Sequence, residues 1–135
     1  METAEISIDT GSRKAAVDLT RDVATFCADK GDGLLSVFVP HATAGIAVIE
    51  TGAGSDSDVI DSIDRLLPPD GSMWRHEHGT PGHGRDHVLP AFISPSLTVP
   101  VVDGELALGT WQSIVLIDTN VDNVTRKVRL SFIPG

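Results

Sequence analysis

The stretch Leu97-Thr98-Val99-Pro100-Val101-Val102-Asp103-Gly104-Glu105-Leu106-Ala107-Leu108 decides the fold class. Two apolar-rich runs, 97–102 and 105–108, flank Asp103-Gly104. An Asp-Gly link suits a type I′ turn, in which both central residues take positive φ and the twist matches two antiparallel strands. A hairpin is therefore the expected unit. Working outward, residues 113–117 form a further apolar run. At the C-terminal end, Val128, Leu130 and Phe132 alternate with Lys127, Arg129 and Ser131. A period of two gives a strand with one buried and one wet face. Upstream, 34–39 and 46–49 are short β-branched runs, and Ile6 and Ile8 alternate with polar neighbours.

Two segments show helical spacing instead. The first starts near Thr20, a candidate N-cap, and sets Leu19, Val23, Phe26 and Cys27 on one face. Lys30 suits its last turn and Gly31 a left-handed stop. The second starts near Ser55, where Ser55 and Asp58 have the spacing of a capping box. Val59, Ile60, Ile63, Leu66 and Leu67 form its apolar stripe, and Pro68-Pro69 ends it. Two main helices and seven or eight strands, mostly in hairpin order, predict an α+β protein with an antiparallel sheet or sandwich. At 135 residues the chain reads as a single domain over 1–135 with a core of its own.

Composition excludes several roles. With 41% apolar and 21% charged residues, the chain belongs with folded rather than disordered proteins. A net charge of −9, with four Phe, two Trp and no Tyr, supplies neither cationic surface nor a stacking platform for nucleic acid. The same balance disfavours anionic membranes. Cys27 is alone, so no internal disulfide is expected. Met1-Glu2-Thr3-Ala4-Glu5 carries acids where a signal peptide carries bases, and no apolar run is long enough to span a bilayer. A cytoplasmic protein is the expectation.

All five histidines lie between positions 41 and 87. Four of them fall in the Gly- and Pro-rich segment after the second helix, the longest expected loop. His76 and His78 share a side if that segment is extended. His83 and His87 have the spacing of one helix face, although Gly84 weakens a helix there. His41 stands at the end of an expected strand. Imidazoles bind zinc and similar metals, and three of them with an open position make a catalytic site. They also move protons near neutral pH. For any one of them a solvated His-rich loop is the better explanation; the cluster is what points to a pocket. The spacing matches no compact metal motif such as HExxH.

Other residues carry two readings each. Glu50 closes the run 46–49 and is a candidate base, ligand or ion-pair partner. Glu77 and Asp86 either orient imidazoles or face water. Thr51-Gly52-Ala53-Gly54-Ser55 is either a backbone phosphate cradle or a plain turn into the second helix. Trp111 and Gln112 suit a core, a pocket wall or a subunit contact. Cys27 reads as a buried structural thiol.

His41-Ala42-Thr43-Ala44-Gly45-Ile46 and Trp74-Arg75-His76 resemble motifs of the YjbQ-like family. Pro95-Ser96-Leu97-Thr98-Val99-Pro100-Val101, then Gly104, then Leu108-Gly109-Thr110-Trp111-Gln112, resembles its most distinctive stretch. The resemblance implies an antiparallel β-sandwich and homotrimers with pockets near subunit interfaces. It also implies secondary thiamine-phosphate synthase activity, joining an aminopyrimidine diphosphate to a thiazole phosphate with release of pyrophosphate. Carried over residue by residue, it implies His41, Glu50 and His87 as catalytic groups. It implies His41, His76 and His87 as ligands of a divalent metal such as zinc, magnesium or manganese. Thr43, Arg75, Thr110, Trp111 and Gln112 become contacts for a phosphorylated small molecule, and His78 and His83, which the resemblance does not carry over, are second-choice contacts in the same pocket. Asp86 departs from the family's Ala, and His78-Gly79-Thr80-Pro81-Gly82-His83-Gly84-Arg85 replaces its Asp/Asn-rich loop. Two rival functions stand beside the synthase: a non-enzymatic binding module for a phosphorylated metabolite, and a metal-dependent hydrolase built on the His-rich segment with Glu77 and Asp86.

Overall fold

Asp103 and Gly104 take φ of 51° and 78°, so the Asp-Gly link closes a type I′ hairpin as expected. It joins β5 (Ser96–Val102) to β6 (Glu105–Leu106). In the computed structural model, which describes residues 1–135, this hairpin forms one edge of a five-stranded sheet. The sheet runs β1 (Glu2–Asp9), β8 (Thr125–Pro134), β3 (Gly33–Phe38), β5, β6. A second sheet runs β2 (Ala15–Asp18), β7 (Ser113–Asp118), β4 (Ala44–Ile49). Every pairing in both sheets is antiparallel. β2 is the strand that the sequence did not announce: Ala15-Ala16-Val17-Asp18 is short, and pairing with β7 makes it extended.

The main core lies between the sheets. Leu35, Val37, Val99, Val101, Val128, Leu130 and Phe132 from one sheet meet Ala44, Ile46, Ile114 and Leu116 from the other. Each large side chain buried in this way contributes about 1.5–3 kcal/mol. α1 (Thr20–Cys27) adds Val23 and Cys27 to that core. Burial pushes the Cys27 thiol up from its ordinary pKa, which keeps it protonated and unreactive. α2 (Ser55–Leu66) covers the outer face of the small sheet, where Ile63 and Leu67 meet Val115, Ile117 and Leu89. β7 thus buries both faces, which is why 114–117 reads as one continuous apolar run.

The helix starts differ from expectation. The N-cap of α1 is Leu19, with no side-chain cap, because the Thr20 hydroxyl instead accepts from the Ile114 amide at 2.9 Å. α2 is preceded by Gly54 at φ 101°, a left-handed start that needs no side-chain cap. The inward phase of β8 extends back to Arg126, which is fully buried and paired with fully buried Asp118 on β7. No helix is long and apolar enough to cross a membrane.

Candidate functional site

Pro68 and Pro69 stop α2, and the chain then reaches β5 through an irregular segment with three short 3-10 turns. Buried polar anchors order it. In the turn His83–His87, residues His83, Gly84, Arg85 and Asp86 are all buried. Arg85 Nη1 donates to Asp64 Oδ1 on α2 at 2.8 Å and to the Leu67 carbonyl at 2.9 Å. Its Nε donates to Asp86 at 3.0 Å, and Thr119 Oγ1 donates to the same carboxylate at 2.6 Å. These bonds fasten the turn between α2 and the end of β7. Trp74 Nε1 donates to the Pro68 carbonyl at 2.9 Å. Trp74 and His76 then lie directly on Gly84. A Cβ there would stand 2.6 Å from Trp74 Cβ and 2.8 Å from the His76 carbonyl oxygen.

This packing makes three rings converge. Ring nitrogens of His76, His83 and His87 lie within 4.8 Å of one another. His83 Nε2 and His87 Nε2 are 2.8 Å apart. His76 Nε2 is buried without a hydrogen-bond partner. His83 Nδ1 stands 3.3 Å from Asp86 Oδ2 and 3.2 Å from Asp122 Oδ2. Both oxygens lie off the line of its N–H, so they flank the nitrogen without a formed hydrogen bond. Converging imidazoles with an orphaned buried nitrogen, backed by carboxylates, fit a divalent metal such as zinc.

A cleft of about 310 Å³ opens beside the cluster. His78, His83 and His87 line one side, and His41, Thr43, Asn120 and Asn123 also face it; no lysine or arginine does. A larger depression of about 500 Å³ lies between β2 and α2 but holds no histidine, so chemistry rather than size marks the smaller cleft. His41 Nε2 accepts from the Lys127 amide at 2.9 Å, which leaves the neutral ring's proton on Nδ1.

Burial, followed by the charge of Arg126, lowers the His41 pKa below its ordinary 6.5. Burial, followed by the neighbouring histidines, does the same to His87. Unfolded histidines therefore take up protons first, and stability present above the ordinary value is lost as pH falls through it. Both rings are expected to titrate below 6.5 by NMR, with the melting temperature falling between about pH 7 and pH 5. Midpoints at or above the ordinary value would refute this.

His41, Thr43, His76, His78, His83 and His87 gather at this one end of the molecule. His83, rather than His41, stands with His76 and His87, because the β8 backbone holds His41 by its Nε2. Glu50, Thr110, Trp111 and Gln112 are elsewhere. β4 runs from Ala44, opposite Asp118, to Ile49, opposite Ser113. That is about 20 Å of strand, and these four residues continue from its far end. Trp111 is 73% exposed there, and Gln112 Oε1 accepts from the Gly109 amide at 2.8 Å. Arg75 and Glu77 are exposed and outside the cleft.

Asn120 and Asp122 were not singled out from the sequence. Their signal is the alternation Asp118, Asn120, Asp122. The Asn120 amide donates to Asp118 at 2.8 Å and the Asp122 amide to Asn120 at 2.9 Å, which coils the loop toward His83. Asp122 also accepts from the Thr80 hydroxyl and amide, and these bonds hold its pKa below the ordinary carboxylate value.

Residues 4–135 match a family model described as UPF0047 protein YjbQ-like. A UPF0047 protein of Mycobacterium tuberculosis is 59% identical over the whole of both chains. The UPF0047 protein YugU of Bacillus subtilis is 33% identical, over 81% of this chain and 83% of that one. Among solved structures, a hypothetical protein of Aeropyrum pernix superposes with a TM-score of 0.89 at 33% identity, covering 100% of both chains. A YbjQ-like protein of unknown function from Sulfolobus solfataricus gives 0.90 at 25% identity, covering 99% of this chain and 97% of that one.

Proposed function

The chain belongs to the YjbQ-like UPF0047 family, and from that premise we propose a metal-dependent enzyme that acts on a small molecule in the histidine-lined cleft. The observation that carries this reading is the meeting of His76, His83 and His87, two of them with a buried ring nitrogen that no hydrogen bond satisfies. Unpaired buried polar groups are costly, and ligation offsets that cost. A divalent metal, when bound, supplies a Lewis acid and an activated water. The chain supplies the rest. His41 presents an Nδ1–H near neutral pH, and Thr43, Asn120 and Asn123 offer hydrogen bonds that orient a ligand. Without lysine or arginine in the cleft, the anionic groups of a phosphorylated substrate rely on the metal and the imidazoles. Metal-assisted hydrolysis is the chemistry this set suits best.

A second reading is the transfer chemistry of thiamine-phosphate synthesis. It is favoured by the exposure of Trp111 and Gln112 at the far end from the histidines. Exposed motif residues far from their own chain's histidines are suited to completing a neighbour's cleft, as a homotrimer would allow.

Elemental analysis of the purified protein, paired with its mass in solution, tests the first reading. About one divalent metal per chain is expected, and none after His87→Ala. Hydrolysis of phosphate esters should then fail with chelator and return with zinc or manganese. Thiamine-phosphate formation should need both building blocks together. No metal in the wild type, or full metal content in His87→Ala, would sink the proposal.

A further inference from the structure

We propose that Asp86 and Asp122 are positioning residues for His83, and that buried Arg85 holds Asp86 in that role. This rests on the metal reading above. A ring nitrogen can ligate only if its lone pair is free, and the partner of the other nitrogen decides that. His83 is 9% exposed, and its Nδ1 is flanked by one carboxylate oxygen from each aspartate, at 3.3 and 3.2 Å. With no hydrogen bond formed, the two flanking anionic carboxylates favour the proton on Nδ1 by charge alone, leaving Nε2 with its lone pair turned to His87 Nε2, 2.8 Å away. They also make the ring a stronger donor to a cation.

The supports of Asp86 leave one oxygen for this purpose. Asp86 is 4% exposed, and Oδ1 takes both the Arg85 Nε and the Thr119 hydroxyl. Oδ2 is the atom that faces the ring. Arg85, also 4% exposed, is pinned by Asp64 and the Leu67 carbonyl, and Lys14 pairs with Asp64 at the surface. A line of charges therefore runs from α2 inward to His83. Fastening the turn to α2 would account for Arg85 and Asp86 alone. It does not account for Asp122, which arrives from a separate loop, held there by Thr80, and faces the same nitrogen.

The test is zinc affinity by chelator competition on the full chain, with ring nitrogen NMR shifts of His83 in the metal-free protein. Asp86→Asn is expected to weaken zinc binding about 10- to 100-fold. Asp122→Asn should weaken it in the same direction, and the pair should shift His83 away from the Nδ1–H tautomer. Asp122 lies in a loop with its side chain 31% exposed, so Asp122→Asn keeps the test decisive if Asp86→Asn does not fold. Wild-type affinity and an unchanged tautomer in the folded variants would overturn the positioning role while leaving the three-histidine site intact. A wild type that binds no zinc would overturn both.

Discussion

Gly84→Ala is expected to abolish metal binding while both sheets stay folded. The added Cβ would stand 2.6 Å from Trp74 Cβ and 2.8 Å from the His76 carbonyl oxygen. Neither obstacle is the far end of a flexible side chain. Segment 74–76 must lift away from the turn, and His76 then leaves His83 and His87. The two sheets and the core between them lie outside this segment, so the cost falls on the site rather than on the fold. Gly109→Ala is the control: the atom nearest its added Cβ is the tip of the exposed Gln112 side chain, at 3.3 Å. Metal content and circular dichroism, measured side by side, decide the matter. A Gly84→Ala protein that holds zinc as tightly as the wild type would show that the 74–76 contact does not build the cluster.

The second large effect is on stability. Arg126→Ala should cost about 3–5 kcal/mol in urea unfolding, because it leaves the Asp118 carboxylate buried and unpaired. Burial raises the Asp118 pKa even against the hydrogen bond and charge of Arg126, which shows how poorly solvated that carboxylate is. Arg126→Met combined with Asp118→Leu removes both charges and fills their space, and should recover much of the loss. If the single and double variants unfold at the same urea concentration, the pair is not what sets the cost. Asp118 also receives the Asn120 amide that starts the coil toward Asp122, so Arg126→Ala should loosen the site as well.

The parts legible in the sequence were those dictated by local pattern. The Asp103-Gly104 turn, the alternation in β8 and the apolar stripe of α2 each carry their periodicity within a few residues. β2 carries none, and only pairing with β7 makes it a strand. The histidine segment announced chemistry but not membership. His83 and His87 meet through a 3-10 turn, and His76 meets them across a glycine contact that spacing does not encode. Arg126 was legible in principle. It stands in phase with Val128, Leu130 and Phe132, and a charge at an inward position demands a buried partner. Resemblance aligned His41 with a motif but gave no ring direction, and the Lys127 amide sets that direction.

All three candidate ligands come from the one segment between α2 and β5, while the strands contribute the frame around it. That makes the reactive part a cassette. Its length, its histidines and its glycine contact can change together without disturbing a single inter-strand register. A lineage carrying this scaffold could therefore exchange one chemistry for another by rewriting a single stretch of the gene, and a transplanted segment of 68–95 would be the natural unit in which such chemistry is inherited.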